Sequence, residues 1–133
     1  MDAATRSMVR QRAGNRCEYC GILQEQMSAA AFHVDHIIPK QHGGSDGSSN
    51  LALACYHCNL RKGPNLTGID PDTGVLVPLF HPRQERWEAH FALRETLIVG
   101  LTPAGRGTVR VLQMNAVDRV QLRATLRTYR SQQ

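Results

Sequence analysis

Apolar positions along the chain fall in short runs, cut by glycine, proline and charged residues, and each run predicts one small element. Residues 5–13 read as a short helix with Met8 and Val9 on its apolar side and Gly14 as its stop. Residues 32–38 read as a strand that Pro39 ends. Residues 41–49 form a loop with three glycines and three serines, and residues 50–55 return as an apolar strand or turn. Lys62-Gly63-Pro64 breaks any helix begun at Asn59. Asp70-Pro71-Asp72-Thr73-Gly74 is a turn signal that separates residues 66–69 from 75–79. Residues 87–93 and 96–99 suggest a hairpin around Arg94-Glu95. Thr102-Pro103 is an N-cap followed by proline at the first helical position, opening a helix to about Gln113. Asn115 is a candidate cap for a last helix over residues 116–130, with Val117, Val120, Ala124 and Leu126 as its inward side. Arg119, Arg123 and Arg127 recur every four residues and share a face, read either as a solvated face or as a phosphate-contacting one.

A chain of 133 residues that is 41% hydrophobic can core one domain but not two. No apolar run approaches the roughly 18 residues that a spanning helix needs, so no membrane partner is expected. The N-terminus lacks the apolar core of a signal peptide, from which a cytoplasmic protein is expected. The formal charge is +5, and its distribution matters more than its size. Residues 1–100 carry ten basic and ten acidic side chains, whereas the last 33 carry six arginines and one aspartate. A basic C-terminal region points to a polyanionic partner.

The four cysteines form two C-x-x-C pairs, Cys17/Cys20 and Cys55/Cys58, separated by 34 residues. Two disulfides or redox pairs are one reading. Two knuckles presenting four thiolates to one structural zinc is the other, and it suits a reducing compartment better. Between the knuckles lie Asp35 and His36, adjacent on a strand and so directed to opposite faces. Asn59 follows a zinc ligand directly, which ties its position to the knuckle. An oxygen-rich site of Asp35 and the Asn59 carbonyl suits Mg²⁺ or Mn²⁺ and would leave positions for a phosphodiester. His36 is a suitable base for activating water, since imidazole titrates near neutrality.

Taken together, Cys17-x-x-Cys20, Val34-Asp35-His36-Ile37-x-Pro39, Gly43-Gly44, Asn50-Leu51, Cys55-x-x-Cys58-Asn59 and Lys62-Gly63 resemble the His-Asn-His (HNH) endonuclease family. The resemblance spans residues 17–63. Residues 68–113 also resemble the C-terminal extension of small stand-alone bacterial or phage members. The implied fold class is α+β: a small ββα-metal nuclease core with zinc knuckles, followed by a short β-hairpin and C-terminal helices. Residues 1–67 would form the zinc-clamped core with its N-terminal helix, and residues 68–133 an extension packed on it. The family pattern implies His36 as general base, Asp35 and Asn59 as ligands of a catalytic divalent metal, and Asn50 as the residue that ties down the loop. Asparagine at position 59, where many members have histidine, favours Mg²⁺ for catalysis. The implied activity is metal-dependent hydrolysis of DNA, with duplex as the expected substrate.

Other residues carry weaker readings. Arg61, Lys62 and His42 are candidate DNA contacts, as are Arg119, Arg123 and Arg127. His33 is a candidate for the metal or for simple packing, and His57 is set aside as a zinc ligand because four thiolates suffice. His81 and His90 show no ligand spacing. Trp87 is expected in a core with Phe80 and Phe91, and Tyr19 and Tyr56 against the knuckles. A zinc-stabilised DNA-binding or adaptor module without cleavage is the alternative function. A homodimer or a partner protein is left open.

Overall fold

A computed structural model describes residues 1–131. The first helix, α1 (Ala3–Ala13), starts at Asp2, whose carboxylate accepts the Thr5 N–H at 2.7 Å, and stops at Gly14 in the left-handed region with φ 63°. Only Val9 of this helix is buried. Its arginines supply the remaining hold: Arg10 donates to the Phe32 carbonyl, and Arg12 to those of Ser48 and Leu51.

Strand β1 (His33–His36) pairs antiparallel with β2 (Leu51–Ala54), placing Asp35 opposite Ala52 and His36 opposite Leu51. All four residues of β2 are buried, so this strand is the floor of the core. Helix α2 (Tyr56–Lys62) follows at once. It starts three residues before Asn59 because Cys55 caps it, its sulfur accepting the Cys58 N–H at 3.4 Å. That extra turn puts Cys58 and Lys62, four residues apart, on one buried side.

Two further antiparallel hairpins follow where one was expected. Strands β3 (Thr67–Ile69) and β4 (Leu76–Pro78) flank the Asp70–Gly74 turn. Strands β5 (Phe91–Arg94) and β6 (Leu97–Gly100) pair around a turn in which Glu95 has φ 58°. Residues 87–90 are not strand but a single helical turn, α3 (Trp87–His90). Trp87 sits there because its indole N–H donates to the Tyr19 carbonyl at 2.7 Å, stitching this region to the first knuckle.

Helix α4 (Pro103–Val111) has Thr102 as its N-cap, as the sequence predicts. It lies close against the hairpins through glycines: a Cβ on Gly107 would come within 2.6 Å of Val77 Cγ2, and one on Gly105 within 2.2 Å of the His90 carbonyl oxygen. One cluster of buried side chains runs from Val9 through Leu53 and Phe80 to Met114.

Helix α5 (Val117–Ser131) differs most from expectation. Val117 is 72% exposed and Ala124 is exposed, while Leu122 and Leu126 pack on the core and Arg119 is only 4% exposed. Residues 119, 122, 123 and 126 form the inward stripe. Asn115 does not cap this helix; its carboxamide exchanges two hydrogen bonds with the Ile98 backbone. No described helix is long and apolar enough to cross a membrane.

The Asp70 turn is a clamp. Arg106 grips both oxygens of the fully buried Asp70 at 2.9 and 2.8 Å, and the Asp72 N–H and the Thr73 hydroxyl donate to the same carboxylate. These bonds, the Arg106 pair foremost, hold the Asp70 carboxyl well below the usual carboxylate range. A folded-state pKa below the unfolded value of about 3.9 contributes stability above that value and loses it as pH falls toward the folded pKa. Asp70→Asn is therefore expected to lower Tm at pH 7, with the gap to wild type narrowing below about pH 4. Paired thermal melts across that range would check it; a gap independent of pH would contradict it.

Candidate active site and zinc centre

The two knuckles converge. The first is a tight loop in which Cys17 N–H donates to the Ile22 carbonyl and Gly21 N–H to the Cys17 carbonyl. The second is the first turn of α2. Together they bring all four sulfurs within 4.8 Å of one another, with no disulfide. A tetrahedral Zn–thiolate site with bonds of about 2.3 Å has sulfur–sulfur edges of about 3.8 Å. Cys20 Sγ lies 3.8 Å from Cys55 Sγ, so the donor set and its spacing suit zinc. His57, inside the second knuckle, is not among the four. Its Nε2 lies 2.9 Å from the carbonyls of both Leu112 and Gln113, so that nitrogen carries the proton and ties α2 to the end of α4.

The catalytic candidates on and around β1 take distinct positions. Asp35 is buried, at 7% exposure. Its Oδ2 accepts the Tyr19 hydroxyl at 2.7 Å, and Lys62 Nζ lies 3.3 Å from Oδ1 and 3.2 Å from Oδ2. Burial pushes the Asp35 carboxyl up, and the Lys62 ammonium opposes that. Burial and the neighbouring Asp35 push the Tyr19 phenol well up, so it remains a hydrogen-bond donor.

Lys62 therefore needs correction as a phosphate contact. It is 1% exposed, pairs with Asp35 and also donates to the His36 carbonyl at 3.1 Å. The physical reason is that the last turn of α2 faces β1, where a buried carboxylate requires a counter-charge.

His36 Nε2 lies 2.7 Å from Asp46 Oδ1, and Lys40 pairs with the same oxygen at 3.2 Å. The hydrogen bonds from His36 and then Lys40 lower the Asp46 carboxyl. An ionised carboxylate only accepts, so Nε2 carries the proton and Nδ1 keeps its lone pair. His36 Nδ1 makes no hydrogen bond among the described residues.

Asn50, also buried, spans the loop between these groups. Its Oδ1 accepts the Ile38 N–H at 2.8 Å, and its Nδ2 donates to the carbonyls of Ile38 at 3.0 Å and Ser45 at 2.8 Å. The strand end after His36 and the loop carrying Asp46 are thereby locked together. The fit is close: a Cβ on Gly44 would fall 1.7 Å from the Ile38 carbonyl oxygen, so glycine is required there. Asn59 is half-buried on α2, and its carboxamide has no hydrogen-bond partner among the described residues.

Of the remaining candidates, Arg61 is exposed, two residues after Asn59 on α2. His42 is exposed, and its Nε2 donates to the Pro64 carbonyl at 3.1 Å. His33 is exposed with its ring 6.2 Å from that of Tyr56. Arg119 and Arg123 do not form an open phosphate face. Arg119 is buried on the cysteine sulfurs, and Arg123 donates to the carbonyls of Thr96 and Met114 and to Asn115. Arg127, further along α5, is exposed.

Two contributors were missed in the sequence. Asp46 sits in a glycine- and serine-rich loop ten residues beyond His36, where nothing local marks it. Tyr19 carried only a packing role, because its reach to Asp35 exists only once the knuckle folds over β1.

The antiparallel pair β1–β2, the helix α2 behind it and the four-cysteine cluster define a zinc-knuckle domain of ββα arrangement. Residues 17–65 match the HNH endonuclease family model. The match covers about a third of the chain and, with the four-cysteine cluster, supports a nuclease-type function in general. No curated protein and no solved structure gives a match.

Proposed function

We propose that the protein is a metal-dependent DNA endonuclease that hydrolyses phosphodiester bonds, with His36 as the general base. The observation that carries this reading is the 2.7 Å contact from His36 Nε2 to Asp46. It fixes the tautomer and leaves Nδ1 as the atom that takes a proton from water. When Nδ1 is protonated, the Asp46 carboxylate stabilises the imidazolium. Asn50 keeps Asp46 and His36 in mutual register by closing the loop between them.

Asp35 and Asn59 would hold the divalent ion. Lys62 and Tyr19 occupy three of the roughly four lone-pair sites of the Asp35 carboxylate, which leaves one on Oδ1 for a metal. Both donors are hard oxygens, which favours Mg²⁺ or Mn²⁺. When bound, such an ion stabilises charge on the phosphate oxygens. Lys62 balances Asp35 and holds the His36 carbonyl, so it positions the strand and does not touch substrate. Arg61 and His42, both exposed, are the candidates to receive the phosphate backbone. A groove of about 750 Å³ between the first knuckle, β5–β6 and α5 includes none of Asp35, His36, Asn50 or Asn59 among its lining.

One observation favours a second reading, a zinc-stabilised DNA-binding or adaptor module: the Asp35 charge is already balanced by Lys62. The deciding experiment incubates chelator-treated, zinc-retaining protein with supercoiled, linear and branched DNA, then adds Mg²⁺ or Mn²⁺. We expect metal-restored cleavage, and a loss of about 10²–10⁴-fold in His36→Ala, the range of a general base. Undiminished metal-dependent cleavage by His36→Ala would remove the base assignment. Binding without cleavage under every metal would favour the module.

A further inference from the structure

We propose that Arg119 belongs to the zinc centre, and that through it the seating of α5 depends on bound metal. Its Nη2 lies 3.6 Å from Cys55 Sγ and 3.8 Å from Cys20 Sγ, and its Nη1 lies 3.1 Å from Met27 Sδ. The residue is 4% exposed, and among the described residues no carboxylate pairs with it. A guanidinium stays charged at any working pH, and burying one without a counter-charge is costly. Zinc on four thiolates carries a net charge of about minus two, two negative charges beyond what the ion neutralises. That is the anion Arg119 faces. Without the ion nothing fixes the four sulfurs in the arrangement that the guanidinium meets.

The rest of α5 follows from this contact. Residues 122, 123 and 126 lie on the same face, so pulling Arg119 away also lifts Leu122 and Leu126 from the core and the Arg123 guanidinium from Thr96 and Met114. Coupling of this kind is reciprocal: zinc seats the helix, and the helix retains zinc. Cys20 is the one cysteine of the four that is not fully buried, and Arg119 covers it. One arm of the guanidinium fork, Nη2, reaches both cysteine sulfurs while the other, Nη1, reaches Met27 Sδ, a divided contact that a lysine ammonium on its flexible stem does not reproduce.

The test uses the full chain loaded with zinc. Zinc transfer to a coloured chelator and hydrogen exchange along α5 are measured for wild type, Arg119→Met, Arg119→Lys and Arg123→Met. Loss of a group that orients or balances metal ligands weakens metal binding by about 10–100-fold, and Arg119→Met is expected in that range. Its α5 amides should lose protection while β1–β2 keep theirs. Arg119→Lys should fall between it and wild type. Arg123→Met, which removes a contact of the same helix that does not touch sulfur, should release zinc more slowly than Arg119→Met does. Wild-type zinc release in Arg119→Met would overturn the proposal, as would equal release from Arg123→Met and Arg119→Met. Should Arg119→Met fail to fold, Arg119→Lys decides: faster release than wild type supports the coupling, and equal release overturns it.

Discussion

Cys58→Ser is expected to abolish cooperative folding at neutral pH, and a strong chelator is expected to do the same to the wild type. Cys58 is fully buried, and the sulfur cluster joins the loop after α1 to the start of α2 across β2. Structural zinc contributes about 10–16 kcal/mol in small zinc domains, where metal binding and folding are one event. The whole stability of an ordinary domain is about 5–15 kcal/mol. The metal term is thus as large as everything else combined, and a serine hydroxyl cannot replace the thiolate. Circular dichroism melts of zinc-loaded, chelated and Cys58→Ser protein measure this directly, with released zinc counted per chain. A sharp, unshifted melt after complete zinc removal would mean that packing alone holds the fold.

The second large effect is expected at Lys62. Lys62→Met leaves Asp35 buried with only the Tyr19 hydroxyl beside it. Breaking a buried ion pair from one side typically costs about 3–5 kcal/mol, because the other charge is stranded. Removing both charges is often close to neutral. Lys62→Met/Asp35→Asn should therefore be more stable than Lys62→Met alone, the opposite of additive behaviour. Denaturant midpoints for the four corners of this cycle give the coupling. If the double variant were as unstable as the sum of the singles, the pair would not be the source of the loss.

Much of the core was legible because its signals are local. The two C-x-x-C pairs, Asp35-His36 and the Asn50-Leu51 step announce a strand, a return strand and a clamp, and β1, β2 and the sulfur cluster lie where those residues put them. The Asp70 turn and the Thr102 cap are similarly local. What was not legible depends on charges meeting across the fold. The ordinary rule that charge faces water puts apolar Val117 and Ala124 inward and the arginine stripe outward. The rule fails at α5 because a sulfur cluster lies under Arg119 and backbone carbonyls lie under Arg123. Lys62 departs from the rule for the same reason: its partner is 27 residues away on another element. Helical periodicity identifies stripes but does not say which stripe is buried when the buried surface is itself polar.

The arginines that bind carbonyl oxygens have a consequence for how the protein would respond to ionic strength. Arg10, Arg12 and Arg123 count toward the formal +5, yet their donors are held by the protein's own backbone, and Arg119 is buried against cysteine sulfurs. The dependence of DNA affinity on salt measures the counterions that a protein displaces, with a log–log slope of about −0.9 for each phosphate neutralised. Cations already committed to carbonyls displace none. A shallow slope, smaller than the arginine count suggests, is the expected signature, and a long incubation at elevated salt would weaken the grip on a nucleic acid far less than it would for a protein whose arginines all face outward.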